Sequence, residues 1–337
     1  MSEEGSSRFA AVVLAAGRGT RFGSPLPKVL QPLAGRPLLG HVLAALTAAG
    51  AHPTLLVLGY GADHVRAAFP RYPFVLQPEQ RGTGDALWHA RTALDPEADL
   101  VVVNGDLPLI APATIQALHQ ARVVAGAAMA ALTCCEGDPT GMGRVLRDAA
   151  GKPIAVVEER LATPEQRAVR EWNCGLYAFA GRWLWPRLAA LTPSPTGEVF
   201  LTDLVAQAAR EGTLVTLTTD DPLAAAGVNT RQELVRSEAV LRERLRQRLL
   251  AGGVLLVSPE TIIIDCEVEV GSESVVLPGC VLLGRTRIGA RCQIGPHAII
   301  EASDVGDDSV IEAAHLVGVR LPPRSHVASF TRLRARD

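Results

Sequence analysis

The sequence is poor in residues that several common functions require. Aromatic side chains make up 4% of the 337 residues, too few to supply stacking platforms for single-stranded nucleic acid. Charge of one sign is not in excess either. Lys+Arg number 33 and Asp+Glu 35, a formal net charge of −2, which excludes a protein that holds nucleic acid by bulk electrostatics, so any phosphate site must be local. No apolar run approaches the length of a membrane span, and the stretch from Met1 to Arg8 is polar with two glutamates. Neither a spanning helix nor a signal peptide is legible, and a cytoplasmic protein is expected. The six cysteines, Cys134, Cys135, Cys174, Cys266, Cys280 and Cys292, form no C-x-x-C pair and have no histidine at ligand spacing. Zinc is therefore not expected, and the thiols read as reduced and buried. Lysine is the scarcest basic residue, with Lys28 and Lys152 the only two. In a chain that otherwise uses arginine, a retained lysine either does what a guanidinium cannot or is a surface remnant.

What is present is a globular chain, 48% apolar and 20% charged, long enough for about two domains. From Phe9 to about Ala226, apolar runs such as FAAVVLAA, TLLVLGY and DLVVVNGD alternate with amphipathic stretches. Such runs, bounded by Gly, Pro and Asp, suit buried parallel strands with crossover helices between them, an α/β fold with a mixed, mostly parallel sheet. At Thr230 the T-R-Q-E sequence has the capping-box form and opens a charged run that ends at Gly252-Gly253. Leu234, Leu241, Leu245 and Leu249 recur along it, predicting one helix of about 20 residues and about 30 Å. Beyond it, Val270, Val276, Leu282, Ile288, Ile294 and Ile300 fall at a spacing of six, with Ser274, Cys280, Thr286, Cys292 and Ala298 two positions before the last five. This hexad repeat predicts a left-handed parallel β-helix with aliphatics inside and small residues at its corners. Cys280 and Cys292 then sit on different sides of the prism, which excludes a disulfide between them. The register slips at Val305 and resumes loosely through Ile311 and Val317, so about two to three coils are expected. The expected division is 1–228, a linker helix 229–252, and a short β-helix 253–337.

The stretch L-A-A-G-R-G-T-R-F-G-S-P-L-P-K, Leu14 to Lys28, carries the most chemistry. A strand runs into a glycine-rich loop whose amides can approach a triphosphate, with Arg21 and Lys28 as added cations. A bare glycine pattern is also an ordinary turn, and this one is neither a Walker A loop nor a G-x-G-x-x-G fingerprint. Asp106 ends an apolar strand, where open α/β sheets place ligand groups, and a carboxylate there suits Mg2+. The eight histidines are scattered and no G-x-S-x-G elbow is present, so Ser-His-Asp catalysis has no support.

The Leu14–Lys28 stretch resembles the signature of sugar-1-phosphate nucleotidylyltransferases. Further blocks resemble one branch, the bifunctional N-acetylglucosamine-1-phosphate uridylyltransferase/glucosamine-1-phosphate acetyltransferases of bacterial cell-wall synthesis. These are Q-P-E-Q-R-G-T-G-D-A from Gln77, N-G-D-L-P-L from Asn104, G-M-G-R-V from Gly141, V-E-E-R from Val157, W-N-C-G from Trp172, F-L-T-D from Phe200 and A-G-V-N-T-R from Ala226. They occur in the family's order, and with the linker helix and the hexads the resemblance covers nearly the whole chain. Asn104, Met142, Cys174 and Arg160 depart from the residues common in that family, which bears on sugar choice more than on charge handling.

The resemblance implies transfer of UMP from UTP to N-acetylglucosamine 1-phosphate, giving UDP-N-acetylglucosamine and pyrophosphate. It implies nucleotide contacts at Leu14, Ala15, Ala16, Gly17, Gly19, Thr20, Gln77, Gln80, Gly82 and Thr83, and sugar contacts at Asn104, Gly143, Glu158, Asn173 and Asn229. It implies catalytic roles for Arg21, Lys28 and Asp106, with Mg2+ on Asp106 and Asn229. On the residues alone, Gln77 is a strand-end polar residue, Glu158 a surface glutamate and Asn229 a helix-start residue. A nucleotidylyltransferase for another sugar 1-phosphate, such as glucose with UTP or dTTP, stays open, as does a non-catalytic nucleotide-sugar sensor. The family's acetyltransferase half takes acetyl-CoA contacts, a histidine and lysines from later coils. No lysine follows Lys152 and the chain stops at Asp337, so that activity is expected to be absent. The β-helix is expected to assemble a homo-oligomer, a trimer by resemblance, and Arg320, Arg324, Arg332, Arg334 and Arg336 either protect an edge or meet an anionic partner.

Overall fold

The computed structural model describes residues 9–335, in two compact units, one of residues up to 31 and 37–231, the other of 32–36 and 232 onward. Arg336, one of the C-terminal arginines, lies outside the described residues. Among the described residues no helix is long and apolar enough to cross a membrane.

Among the described residues the first unit is built on a sheet of nine strands: β1 (Ala10–Ala15), β2 (Thr54–Leu58), β3 (Phe74–Leu76), β4 (Asp99–Asn104), β5 (Met129–Cys134), β6 (Arg144–Arg147), β7 (Pro153–Val157), β8 (Trp172–Ala180) and β9 (Leu214–Thr219). The sheet order is β9-β5-β8-β4-β1-β2-β3, with β6 paired to β8 and β7 to β6. β1 is parallel to β2 and β4, and β5 to β9, while β8 runs antiparallel to both β4 and β5. Alternation along β1 explains why the run is apolar throughout. Ala11, Val13 and Ala15 pack with Leu39, Val42, Leu43 and Leu46 of the helix Leu38–Ala48. Ala10 and Val12 pack on the other face with Leu87, Leu184 and Leu204. A strand buried on both faces can afford no polar position.

From β1 the chain moves outward through β2 to β3, then returns to place β4 on the opposite side of β1. Such a reversal opens a crevice beyond the strand ends. Gly105 N donates to Leu14 O at 2.9 Å, so the residues that follow β1 and β4 emerge side by side.

The helix Arg231–Ala251, the element expected over 229–252, belongs to the second unit in all but its first residue. The chain leaves it at Gly253, whose φ of +82° suits glycine, and Val254 N donates back to Leu249 O at 3.1 Å. Arg242 Nη1 donates to Ile264 O (2.8 Å) and Arg248 Nη2 to Val268 O (3.3 Å). These guanidinium groups satisfy carbonyls at the start of the following β-helix.

That β-helix has three faces of short parallel strands, two of five strands and one of four. The described residues therefore form almost five coils, not two to three. The strict hexads mark only its centre: Leu256 and Ile264 precede them, and Val305, Ile311, Leu316 and Val327 follow, all buried in one core. Later coils shorten while keeping the interior aliphatic. Val276 pairs with Ile294 eighteen positions on, Ile288 with Val305 after seventeen, and Ile300 with Leu316 after sixteen. Leu316, not Val317, is thus the inward residue. The corner residues behave as the spacing implies. Ser274, Cys280, Thr286, Cys292 and Ala298 are all buried, and Ser274 bridges adjacent coils, donating to Gly289 O (2.8 Å) and accepting from Cys292 N (2.9 Å). All six cysteines are free. Cys135 is exposed and Cys266 half-buried, against the expectation of burial.

Ile294 is fully buried in the middle of this column. Ile294→Ala is expected to destabilise the β-helix by about 2–5 kcal/mol through lost contacts and a residual cavity. Urea unfolding followed by circular dichroism checks this, and a loss under about 1 kcal/mol would mean that the column collapses freely around the gap.

Candidate active site

The loop after β1 is shaped by close approaches that only glycine permits. A Cβ on Gly59 would lie 2.7 Å from Ala16 O, and one on Gly19 2.7 Å from Lys28 Cβ. Gly19 and Gly23, both at φ near +60°, bracket a helical turn over Thr20–Phe22 that Phe22 anchors in the core. The loop folds back on the stem of Lys28, which opens a second short turn after Pro27. Gly17 and Thr20 are exposed, as is Arg21.

Lys28 reaches two residues far away in sequence. Its Nζ forms an ion pair with Asp106 Oδ2 and donates to Asn229 Oδ1 at 2.8 Å. The Lys28 and Asp106 side chains are 12% and 16% exposed, so the pair is largely desolvated. The backbone sets this meeting, because Asp106 O accepts from Val228 N at 2.8 Å and Asn229 Nδ2 donates to Gly227 O at 3.1 Å. Gly227 leaves room for the carboxylate, since a Cβ there would stand 2.9 Å from Asp106 Oδ1 and displace it. The other lysine, Lys152, is exposed, and its backbone N–H donates to Asp148 Oδ1 in a turn.

Two clefts meet here. The first, of about 350 Å3, is lined by Leu14, Ala15, Ala16, Gly17, Lys28, Gln77, Gln80, Gly82 and Thr83, among others. The second, of about 190 Å3, is lined by Gly143, Asn173 and Asn229. Leu14, Thr83, Asn104, Asp106 and Glu158 belong to both. Gly19, Thr20 and Arg21 are not in the walls of either, and Arg21 Nη1 stands 3.9 Å from where a Cβ on Gly141 would be, beside the second cleft.

Side-chain roles in the walls are constrained by bonds behind them. Gln77 is buried, and its Nε2 donates to Gly82 O (3.1 Å) and Asp85 Oδ2 (2.7 Å), so its amide oxygen is the group left for a ligand. Thr83 Oγ1 accepts from Leu201 N at 3.0 Å. Glu158 Oε1 accepts from Thr202 Oγ1 at 2.9 Å, and burial pushes the Glu158 carboxyl above its usual range, against that hydrogen bond. Thr202 and the rim residues Glu198 and Phe200 were not singled out by sequence reasoning. Arg160 pairs with Glu198 through both nitrogens and lies 4.9 Å over the Phe200 ring. Phe200 and Thr202 fall in the F-L-T-D block and Arg160 in the V-E-E-R block, whereas Glu198 lies in neither.

Among the described residues no cluster of three or more His, Cys, Asp or Glu could hold a metal. What the site offers instead is one carboxylate oxygen and one amide oxygen converging on a single cation, the Lys28 ammonium. Hard oxygen donors around a positive charge fit Mg2+, which completes its shell with water and phosphate.

The fold and this cleft define a nucleoside-triphosphate transferase, and residues 11–210 match the family model of the MobA-like NTP transferase domain. The chain is 39% identical over 328 residues to the bifunctional protein GlmU of Heliobacterium modesticaldum, covering 96% of this chain and 72% of that protein. It is 42% identical over 335 residues to that of Thermus thermophilus, with the same coverage. With GlmU of Koribacter versatilis it shares 42% over 319 residues, 92% of this chain and 68% of the relative. The chain belongs to the GlmU family.

The raised Glu158 pKa has a consequence for stability. Above the ordinary glutamate range of about 4.3 the unfolded chain releases this proton while the folded chain still holds it, so Glu158 lowers stability as pH rises. Glu158→Gln keeps an acceptor for Thr202 without the charge. Its melting temperature is expected to exceed that of the wild type at neutral pH, with the gain vanishing as pH falls below the ordinary range. An equal or lower value at neutral pH would show that Glu158 carries no desolvation cost.

Proposed function

We propose that this chain is a uridylyltransferase that joins UTP and N-acetylglucosamine 1-phosphate into UDP-N-acetylglucosamine and pyrophosphate. The observation that carries the reading is the shared wall. Asp106, beside Lys28 and Asn229, lies where the two clefts meet. A nucleotide in the larger and a sugar phosphate in the smaller bring their phosphates to that point.

The chemistry requires little else. A sugar phosphate is already a nucleophile near neutral pH, so no general base is needed, and the barrier lies in bringing two anions together. Lys28 supplies positive charge to the α-phosphoryl oxygens, while the β- and γ-phosphates are assigned to the amides from Gly17 to Thr20 and to the Arg21 guanidinium, which has to swing in from outside both clefts. Gln77 presents its amide oxygen to the imide N–H of uracil, beside Gln80, Gly82 and Thr83. Asn104, Gly143, Glu158, Asn173 and Asn229 line the sugar side. Mg2+, held by Asp106 and Asn229, would neutralise charge between the two phosphates.

The outer surface of the β-helix supports assembly with further copies. One face carries an ion-pair ladder, Arg287 with Glu269 (3.4 Å) and Arg320 with Asp304 (3.1 Å). The other two expose Leu255 on one and Ile263 and Ile299 on the other. A trimer is the assembly proposed.

Lys28→Ala and Asp106→Ala are each expected to lower kcat at least about a hundredfold, near 3 kcal/mol of transition-state stabilisation, with an unchanged circular dichroism spectrum. Near-normal turnover in either removes its assigned role. Pyrophosphate release measured across a panel of sugar 1-phosphates with UTP and dTTP should be fastest for N-acetylglucosamine 1-phosphate with UTP and should stop on chelation. Preference for glucose 1-phosphate would favour the related transferase, and binding without turnover would favour a sensor. Light scattering should report three chains, and Ile299→Asp should give smaller species.

A further inference from the structure

Strand β8 does not run straight past the second cleft. Asn173 pairs with Thr133 and Tyr177 with Ala131, so four residue steps on β8 face two on β5. In a regular strand, residues four apart are separated by about 13 Å. The irregularity takes up that length, turning at Gly175 with φ +72°, where a Cβ would collide with the Asn104 amide. It leaves Asn173 Nδ2 donating to the Tyr177 hydroxyl at 2.7 Å. Bulges beside functional sites re-aim side chains in this way.

The hydroxyl is well held. Tyr177 is 4% exposed, its ring packs beside Phe179 with centroids 5.9 Å apart, and burial and the nearby Glu158 charge raise its pKa, keeping it protonated. One N–H of the Asn173 amide is on the phenol oxygen, and this turns its Oδ1 away from Tyr177. That Oδ1 is shielded from solvent and has no partner among the described residues, although Asn173 lines the cleft. Buried acceptors are nearly always satisfied, so an exception in a ligand cleft calls for a partner, which a ligand donor can supply.

We propose that Tyr177 is a positioning residue for sugar recognition. By holding Asn173 Nδ2 it fixes Asn173 Oδ1 as an acceptor for one hydroxyl or amide N–H of the sugar phosphate. Without the phenol the amide turns freely and offers its donor as readily as its acceptor, so discrimination between sugars that carry or lack that donor falls. This role rests on the nucleotidyltransferase reading above.

The test is steady-state kinetics on Tyr177→Phe, Asn173→Ala and the double variant, with melting temperatures alongside. Tyr177→Phe is expected to raise KM for the sugar 1-phosphate about tenfold, the scale of one lost hydrogen bond. KM for the nucleotide and kcat should stay within about twofold. In the Asn173→Ala background the same change should add nothing, because Tyr177 acts through Asn173. A lower melting temperature with unchanged KM, or an undiminished penalty in the Asn173→Ala background, overturns the proposal. If Tyr177→Phe does not fold, Tyr177→Met, which also removes the hydroxyl, replaces it with the same expected outcomes. A wild type that turns over no sugar 1-phosphate removes the nucleotidyltransferase reading and this role with it. An active wild type with unchanged KM in the variant removes this role alone.

Discussion

One ammonium group organises the catalytic unit. Lys28, at the end of the glycine loop, meets a carboxylate 78 positions away and an amide 201 positions away. A largely desolvated ion pair is weak support for stability, because the cost of removing both charges from water offsets most of their attraction. Its value here is as a poised arrangement. The residues proposed to hold a metal are already converged on a positive charge, and that charge belongs to a flexible side chain proposed to turn to phosphate. A compact ammonium suits such a double role better than a planar guanidinium, whose fixed fork commits it to one geometry. This gives a physical reason for lysine at this position in a chain that uses arginine elsewhere.

The sheet brings the interacting segments within reach. Because β4 returns to the far side of β1, the segments after both strands open into the same crevice, and the Gly105 to Leu14 hydrogen bond fixes their spacing. Glycine supplies the remaining closeness. At Gly59 the missing side chain admits the Ala16 carbonyl, and at Gly227 the Asp106 carboxylate. Either position would need a displaced backbone or a displaced functional group to take a larger residue. The site is therefore specified as much by what is absent from these positions as by its charged side chains.

Legibility in the sequence followed locality. The glycine loop, Lys28 and Asp106 could be read directly because each belongs to a continuous strand-to-loop segment whose pattern is local. Asn229, Glu158 and Asn173 became candidates only through resemblance, since nothing near them in sequence says which cleft they face. Gln77 looked like a strand-end residue, yet it is buried and its donors are consumed by Gly82 and Asp85. Thr202 and Tyr177 escaped notice because their contribution is made through another residue. The outward placement of Thr20 and Arg21 was equally illegible, because backbone φ at Gly19 and Gly23 decides it.

The β-helix shows the opposite limit, in which a strong periodic signal understated the structure. The requirement on each coil is an aliphatic residue inside each face, and turn length is free to vary. Once a coil shortens from eighteen residues to sixteen, the fixed interval disappears while Leu316 and Val327 still fill the interior. Corners impose the second requirement, a small residue able to satisfy backbone groups. Ser303 and Ser309 continue at later corners the burial seen at Ser274 and Thr286. The same constraint accounts for two of the cysteines: Cys280 and Cys292 donate to Ile294 O and Gly306 O across coils, so a thiol there serves as a small, weakly polar corner and not as a redox group. Counting coils by interior and corner chemistry, and not by a constant interval, recovers the described coils from the same residues.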